Sequence, residues 1–134
     1  MDELQAGFLR AKLPNLDADN ARRKEIALIY KEGLAGLALH LPTVPAWADP
    51  AWHLYVVRTN QRESFRHKLE ALGVETLIHY PIPPHLQAAY TQTGLKKKYQ
   101  IAETMAVEVI SLPMGPHLSD EEVLAVIQAV SVCL

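Results

Sequence analysis

The chain has 134 residues, of which 49% are hydrophobic and 21% charged, and its net charge is −2. That is the size and composition of a single globular domain; it excludes disorder and offers no electrostatic footprint for nucleic acid or an anionic membrane. No window approaches the ~18 apolar residues of a membrane span, and the acidic opening 1-MDELQAGFLR is neither a signal nor a transit peptide.

Taken in chain order, residues 2–13 place Leu4, Phe8 and Ala11 at i, i+4 and i+7, with Leu9 and Leu13 beside them, which predicts an amphipathic helix. Pro14 lacks an N–H and clashes with the preceding turn, so a kink or restart is expected there, with Asn15 or Asp17 as the next cap. A second helix over 16–32 uses Leu16, Ile26, Ile29 and Tyr30 as apolar positions, 22-RRK-24 as its wet face and Gly33 as its stop. The period then changes. Leu37, Leu39 and Leu41 alternate, predicting a short strand over 36–42, and the prolines of 42–51 make a loop. The β-branched and aromatic run 53-HLYVVRT-59 is the strongest strand signal.

Asn60 and Glu63 resemble a capping pair, ahead of a helical stripe of Phe65, Leu69 and Leu72 that ends at Gly73. A strand over 74–80 follows and is stopped by Pro81. Leu86, Ala89 and Tyr90 suggest one or two helical turns, and 96-KKK-98 reads as a solvated loop. A helix over 99–107, with Ile101 and Met105 on one side, leads into a strand over 107–113. Ser119 and Glu122 form a capping box that opens a last helix with the stripe Val123, Val126, Ile127 and Val130.

This order predicts an α+β fold: an N-terminal helix pair, then a small mixed or antiparallel sheet with helices on one face. The strands at 53–59 and 74–80 make a crossover unit, and the strand at 107–113 is expected between them and antiparallel. The helix pair starts at once, with no cap or lead-in, as in an element that belongs to a larger body. The single cysteine, Cys133, allows no intramolecular disulfide, which fits a reducing, cytoplasmic setting. Its apolar neighbourhood argues for a packed or frayed thiol rather than a nucleophile.

The candidate chemistry concentrates in 76-TLIHYPIPPHLQAAY-90, which holds two histidines, three prolines and two tyrosines. A zinc site needs three or four ligands at recognisable spacing; His79 and His85 are separated by prolines, and His40, His53, His67 and His117 are scattered. There is no G-x-S-x-G elbow, and Ser64, Ser111, Ser119 and Ser131 lack a nearby His–Asp arrangement. No glycine-rich phosphate motif occurs. Two readings of the segment remain. His79 and Tyr80, pointing to opposite sides of a strand end and followed by a proline-stiffened turn, could line a cleft. Alternatively the histidines pack and hydrogen-bond within a turn, which composition alone favours.

A resemblance adds to this. The stretch 1-MDELQAGFLRAKLPNLDADNARRKEIALIY-30, then 53-HLYVVRT-59, 74-VETLIHYPIPPHLQAAY-90 and 111-SLPMGPHLSDEEV-123, resembles the C-terminal part of the DegT/StrS-type sugar aminotransferases, in the right order and over essentially the whole chain. These are pyridoxal-phosphate enzymes of the aspartate-aminotransferase fold (fold type I). The resemblance implies that residues 1–34 lead out of a large domain, that 35–134 form the small α+β domain, and that the cofactor-binding large domain is absent. The Schiff-base lysine would lie upstream. None of Lys12, Lys24, Lys31, Lys68, Lys96, Lys97 and Lys98 matches its position, and the Asn and Arg expected just before Met1 are missing.

The parent activity implied is amino transfer, usually from glutamate, to a keto-sugar nucleotide. The isolated chain, whether it comes from a truncated gene, a split gene or an expressed fragment, is expected to be inactive, with no catalytic, cofactor-binding or metal residue of its own. His79, Tyr80 and His85 match the family's H-Y-P-x-P-x-H positions and are the implied substrate contacts, although Pro84 departs from the usual residue and changes the setting of His85. The alternative is a non-enzymatic module that dimerises or docks an N-terminal partner through the exposed faces of helices 2–34. An independent hydrolase or metal enzyme is the third reading.

Overall fold

A computed structural model describes residues 2–93 and 98–134. Lys96 and Lys97 of the basic run lie outside the described residues; Lys98 is exposed. Helix α1 spans Glu3–Lys12 and α2 Leu16–Gly33, joined by one 3-10 turn at Leu13–Asn15 that carries Pro14. The restart expected at Pro14 is therefore present. The expected absence of a cap is corrected: the Asp2 carboxylate accepts from Leu4 N at 2.8 Å and from Gln5 N at 3.3 Å, satisfying donors that a first turn leaves free. Asn15 takes the cap position of α2 without a side-chain bond.

Strand β1 (Tyr55–Arg58) pairs antiparallel with β2 (Val109–Leu112), with Val56 opposite Ser111. Helix α3 (Arg62–Ala71) follows β1, α4 (Gln100–Glu108) runs directly into β2, and α5 (Asp120–Cys133) closes the chain. The strands expected at 36–42 and 74–80 shrink to single bridges, His40 to Arg58 on one side and Leu77 to Ser111 on the other. Gly36, at φ 80°, turns the first segment before it can extend. Pro81, without an N–H, and the prolines after it end the second. Both bridges are antiparallel, so β2 lies between β1 and Leu77 as the pattern predicted.

The alternate residues Tyr55, Val57, Ile110 and Leu112 are buried in one cluster with Ile26, Tyr30 and Leu34 of α2, Phe65 and Leu69 of α3, and Val123 and Val130 of α5. The C-terminal part of α2 is thus packed into the same core as residues 35–134. Gly33 does not stop α2 by a left-handed backbone. It lies where a Cβ would come within 2.6 Å of Ile127 Cδ1, so its value is close approach of α2 to α5. Gly73, at φ 79°, is the left-handed terminator expected after α3: Val74 N donates to Leu69 O at 2.9 Å and Gly73 N to Glu70 O at 2.9 Å.

The expected Asn60–Glu63 cap is not formed. Helix α3 begins at Arg62, where Glu63 is taken up by the Arg62 guanidinium at 2.8 Å. The 22-RRK-24 face is only partly wet. Arg22 Nη2 donates to Leu118 O at 2.8 Å and meets Asp120 Oδ1 at 2.7 Å, fastening α2 to the start of α5. At the start of α5 the capping box is complete, Glu122 N to Ser119 Oγ at 3.2 Å and Ser119 N to Glu122 Oε2 at 2.8 Å. At its other end Lys68 Nζ donates to Cys133 O at 2.8 Å, a cation on the negative end of the helix. Cys133 is a buried, free thiol whose pKa burial pushes up, away from nucleophile chemistry. Among the described residues no helix is long and apolar enough to cross a membrane.

Candidate functional site

Because β2 is central, its side chains reach both faces of the sheet. Ile110 and Leu112 enter the core; Ser111, between them, projects to the opposite face and is still buried, at 4% exposure. What covers it is the opening of the His79 segment. Leu77 exchanges both backbone bonds with Ser111, N to O at 3.3 Å and O to N at 2.8 Å. Two residues on, His79 Nδ1 lies 2.9 Å from Ser111 Oγ. The peptide bond between His79 and Tyr80 is cis.

The expectation that His79 and Tyr80 point to opposite sides is corrected. Their rings meet edge to face with centroids 5.5 Å apart. Alternation belongs to extended, paired backbone, and pairing ends at Leu77. The result is a half-buried imidazole, oriented from below by Ser111, beside an exposed phenol. The Ser111–His79 pair has the composition of a nucleophile and base. Ser111 is too deeply buried to meet a substrate, however, and bonds Nδ1 as an orienting partner.

His85 follows one 3-10 turn later, in Pro84–Leu86. Its side chain is only 10% exposed, and its Nε2 lies 3.1 Å from Glu103 Oε1 of α4. The same oxygen accepts Tyr99 N at 3.0 Å, and the Tyr99 ring meets His85 edge to face at 4.8 Å. The His85 bond first, then the Tyr99 amide, holds the Glu103 carboxyl below its ordinary pKa. An ionised carboxylate can only accept, so neutral His85 carries its proton on Nε2 and leaves Nδ1 with a free lone pair. Pro84, the departure noted in the sequence, starts the turn that aims His85 at α4.

The structure thus joins His79 to Tyr80 and ties His85 to α4. It adds Ser111, Glu103 and Tyr99, which the sequence did not single out as partners. Ser111 carried a signal, since S-L-P-M is one of the motifs of the resemblance; Glu103 lies 18 residues from His85 and carried none. A groove of about 840 Å³ opens beside this edge between α3 and α5, lined by Glu75, Leu77, Met114 and His117 among others. Among the described residues no group of three or more His, Cys, Asp or Glu side chains could hold a metal ion.

The segment that carries this geometry is part of a match that runs through the whole chain. Residues 1–131 fit the model of the DegT/DnrJ/EryC1/StrS aminotransferase family. The chain belongs to that family. It is 47% identical over 131 residues to the dTDP-3-amino-3,6-dideoxy-alpha-D-galactopyranose transaminase of Aneurinibacillus thermoaerophilus, covering 98% of this chain and 36% of that protein. It is 46% identical to the dTDP-3-amino-3,4,6-trideoxy-alpha-D-glucose transaminase of Streptomyces venezuelae, covering 97% and 35%. The crystal structure of S. venezuelae DesV in complex with a ketimine intermediate superposes with a TM-score of 0.91 at 45% identity, over 97% of this chain and 36% of that one. The chain therefore spans about a third of the length of the family members it matches. The family is pyridoxal-phosphate-dependent, and a relative from Bacillus subtilis has been solved with bound cofactor PMP.

Proposed function

We propose that this chain is the C-terminal small domain of a nucleotide-sugar aminotransferase, with residues 1–34 leading out of a large domain and 35–134 forming the small one. The observation that carries this is the match of nearly the entire chain to one contiguous third of sugar-nucleotide transaminases. The reaction of the complete protein is transfer of an amino group, from glutamate, to a keto-sugar nucleotide. Bound pyridoxal phosphate supplies the electron sink for that chemistry.

The described lysines do not fit that group. Lys24 is paired with Asp49 on the surface, Lys68 bonds the end of α5, and Lys12, Lys31 and Lys98 are exposed. In this reading the Schiff-base lysine lies in the large domain, and the chain alone is inactive. Its part is to close one wall of the substrate cleft. His79 and Tyr80 face the sugar nucleotide, with Ser111 setting the imidazole. His85 shapes the turn through Glu103 and offers Nδ1 as an acceptor. The setting is cytoplasmic.

The test is complementation. Co-expression with the separately encoded N-terminal two thirds of the Aneurinibacillus relative restores transamination of a dTDP-keto-hexose, and His79→Ala lowers the restored rate about 10²-fold. A chain that alone forms a borohydride-trappable adduct with pyridoxal phosphate at one specific lysine overturns the reading. The bare stripe of α1 favours a second reading, a module that self-associates or docks an N-terminal partner through helices 2–34. Sedimentation showing a strict monomer at high concentration removes the self-associating form.

A further inference from the structure

Ser111 lies on the central strand with its backbone committed: its N–H and its carbonyl are both bonded to Leu77. Its side chain is turned away from the core and buried at 4% exposure, and its hydroxyl has one partner among the described residues, His79 Nδ1 at 2.9 Å. That bond can run in either direction. If Nδ1 carries the ring proton, Ser111 Oγ accepts it and the hydroxyl hydrogen is left buried without an acceptor. If Nδ1 carries the lone pair, the hydroxyl donates to it and only an oxygen lone pair goes unused. A buried donor without an acceptor costs far more than a spare lone pair on an oxygen that already makes a bond. The hydroxyl is therefore the donor, and the proton of neutral His79 stands on Nε2.

The two nitrogens of an imidazole point in nearly opposite directions. With Nδ1 on a buried serine, Nε2 is directed away from the sheet. The ring is half-buried, and Nε2 has no partner among the described residues. His85 makes the contrast. Its Nε2–H is spent on Glu103, so it keeps an acceptor where His79 keeps a donor.

We propose that Ser111 is a positioning residue that locks His79 in the Nε2–H tautomer, so that the imidazole meets the sugar nucleotide as a neutral hydrogen-bond donor to an acceptor oxygen and not as a base. The contact with substrate rests on the aminotransferase reading; the tautomer does not. A nitrogen that already holds its proton recognises a carbonyl or phosphate oxygen and takes no proton from the substrate, so His79 binds and polarises without acting as the general base.

The tautomer is read from the imidazole nitrogen NMR shifts of the intact chain at about pH 8, above the ordinary imidazole range. His79 is expected to show a protonated Nε2 and an unprotonated Nδ1. Ser111→Ala releases the second tautomer, and the two shifts move toward each other. A protonated Nδ1 in the native chain, or shifts unmoved by Ser111→Ala, overturns the proposal.

The donor is read in the complemented enzyme. Gln places an N–H about where Nε2 stands, whereas Asn reaches only the Nδ1 position. His79→Gln is expected to keep kcat/KM within about fivefold of native, and His79→Asn to lose about 10²-fold. Weaker inhibition by dTDP in His79→Asn puts the acceptor oxygen on the diphosphate; unchanged inhibition puts it on the keto sugar. An Asn variant as active as the Gln variant overturns the donor role. Should Ser111→Ala fail to fold by circular dichroism, the native spectrum and the Gln–Asn pair decide. Complementation that fails with the native chain overturns the aminotransferase reading instead, and the spectra still decide the tautomer.

Discussion

Helices α1 and α5 both carry an apolar stripe at helical spacing, Leu4, Phe8 and Ala11 in one and Val123, Val126 and Val130 in the other. In α5 that stripe is enclosed by α2 and α3, and Val123 and Val130 are 0% exposed. In α1 nothing is buried, and Leu4 and Phe8 remain 74% and 69% exposed. A periodic stripe shows that a helix is built to meet an apolar surface. It does not say where that surface is, because periodicity is local and burial is a property of neighbours distant in sequence. Each enclosed valine of α5 contributes about 1.5–3 kcal/mol to the fold. The stripe of α1 contributes almost nothing to this body, and a ten-residue helix without a packed face is marginal in water.

The strongest way to break the contrast is to place the same charge on both helices. Val130→Asp buries an unpaired carboxylate and is expected to cost more than about 4 kcal/mol, enough to unfold the body in a urea titration. Phe8→Asp is expected to leave the midpoint within about 0.5 kcal/mol. A comparable loss from Phe8→Asp shows that α1 is packed after all. A second, smaller effect tests the α2–α5 contact. Gly33→Val drives a side chain into Ile127, 2.6 Å from the position of the new Cβ, and costs about 1–3 kcal/mol. Adding Ile127→Ala should return part of that loss, and strict additivity of the two changes removes the contact from the account.

The caps sharpen the contrast further. Ser119→Ala removes the α5 capping box and lowers global stability by about 1 kcal/mol. Asp2→Ala loosens the first turn of α1, visible as faster amide exchange at Leu4 and Gln5, without moving the global midpoint. The smallest effect is a local pH response. Glu103 has a depressed folded-state pKa, so the tether it supplies is fully present above the ordinary glutamate value of 4.5 and lost as pH falls through the lower folded value. Carbon-detected titration of the Glu103 carboxyl checks this. A Glu103 that titrates at 4.5, or whose titration is unchanged by His85→Ala, removes the bond as its cause.

Much of the fold was legible in the residues. Pro14, Gly73 and the Ser119–Glu122 box marked real boundaries, because each acts through its own backbone or its immediate neighbours. The two edge strands were over-read. Alternation in 36–42 and 74–80 was genuine, yet Gly36 and Pro81 limited each to one bridge. At the candidate site, His79, Tyr80 and His85 were picked out by composition and by resemblance. Their partners were not, since Ser111 and Glu103 arrive from 32 and 18 residues away.

By itself, the sequence determined which segments are helical, where they stop, which faces are apolar and which family pattern they follow. These depend on φ restrictions, side-chain period and local hydrogen bonds, all confined to a few consecutive residues. Only the tertiary structure decided which apolar faces are covered. It alone seated His79 on a buried serine of the central strand, turned His85 toward α4, and stacked Trp52 against the buried Tyr55 ring. Those outcomes depend on which distant segments come together, and no local pattern encodes that.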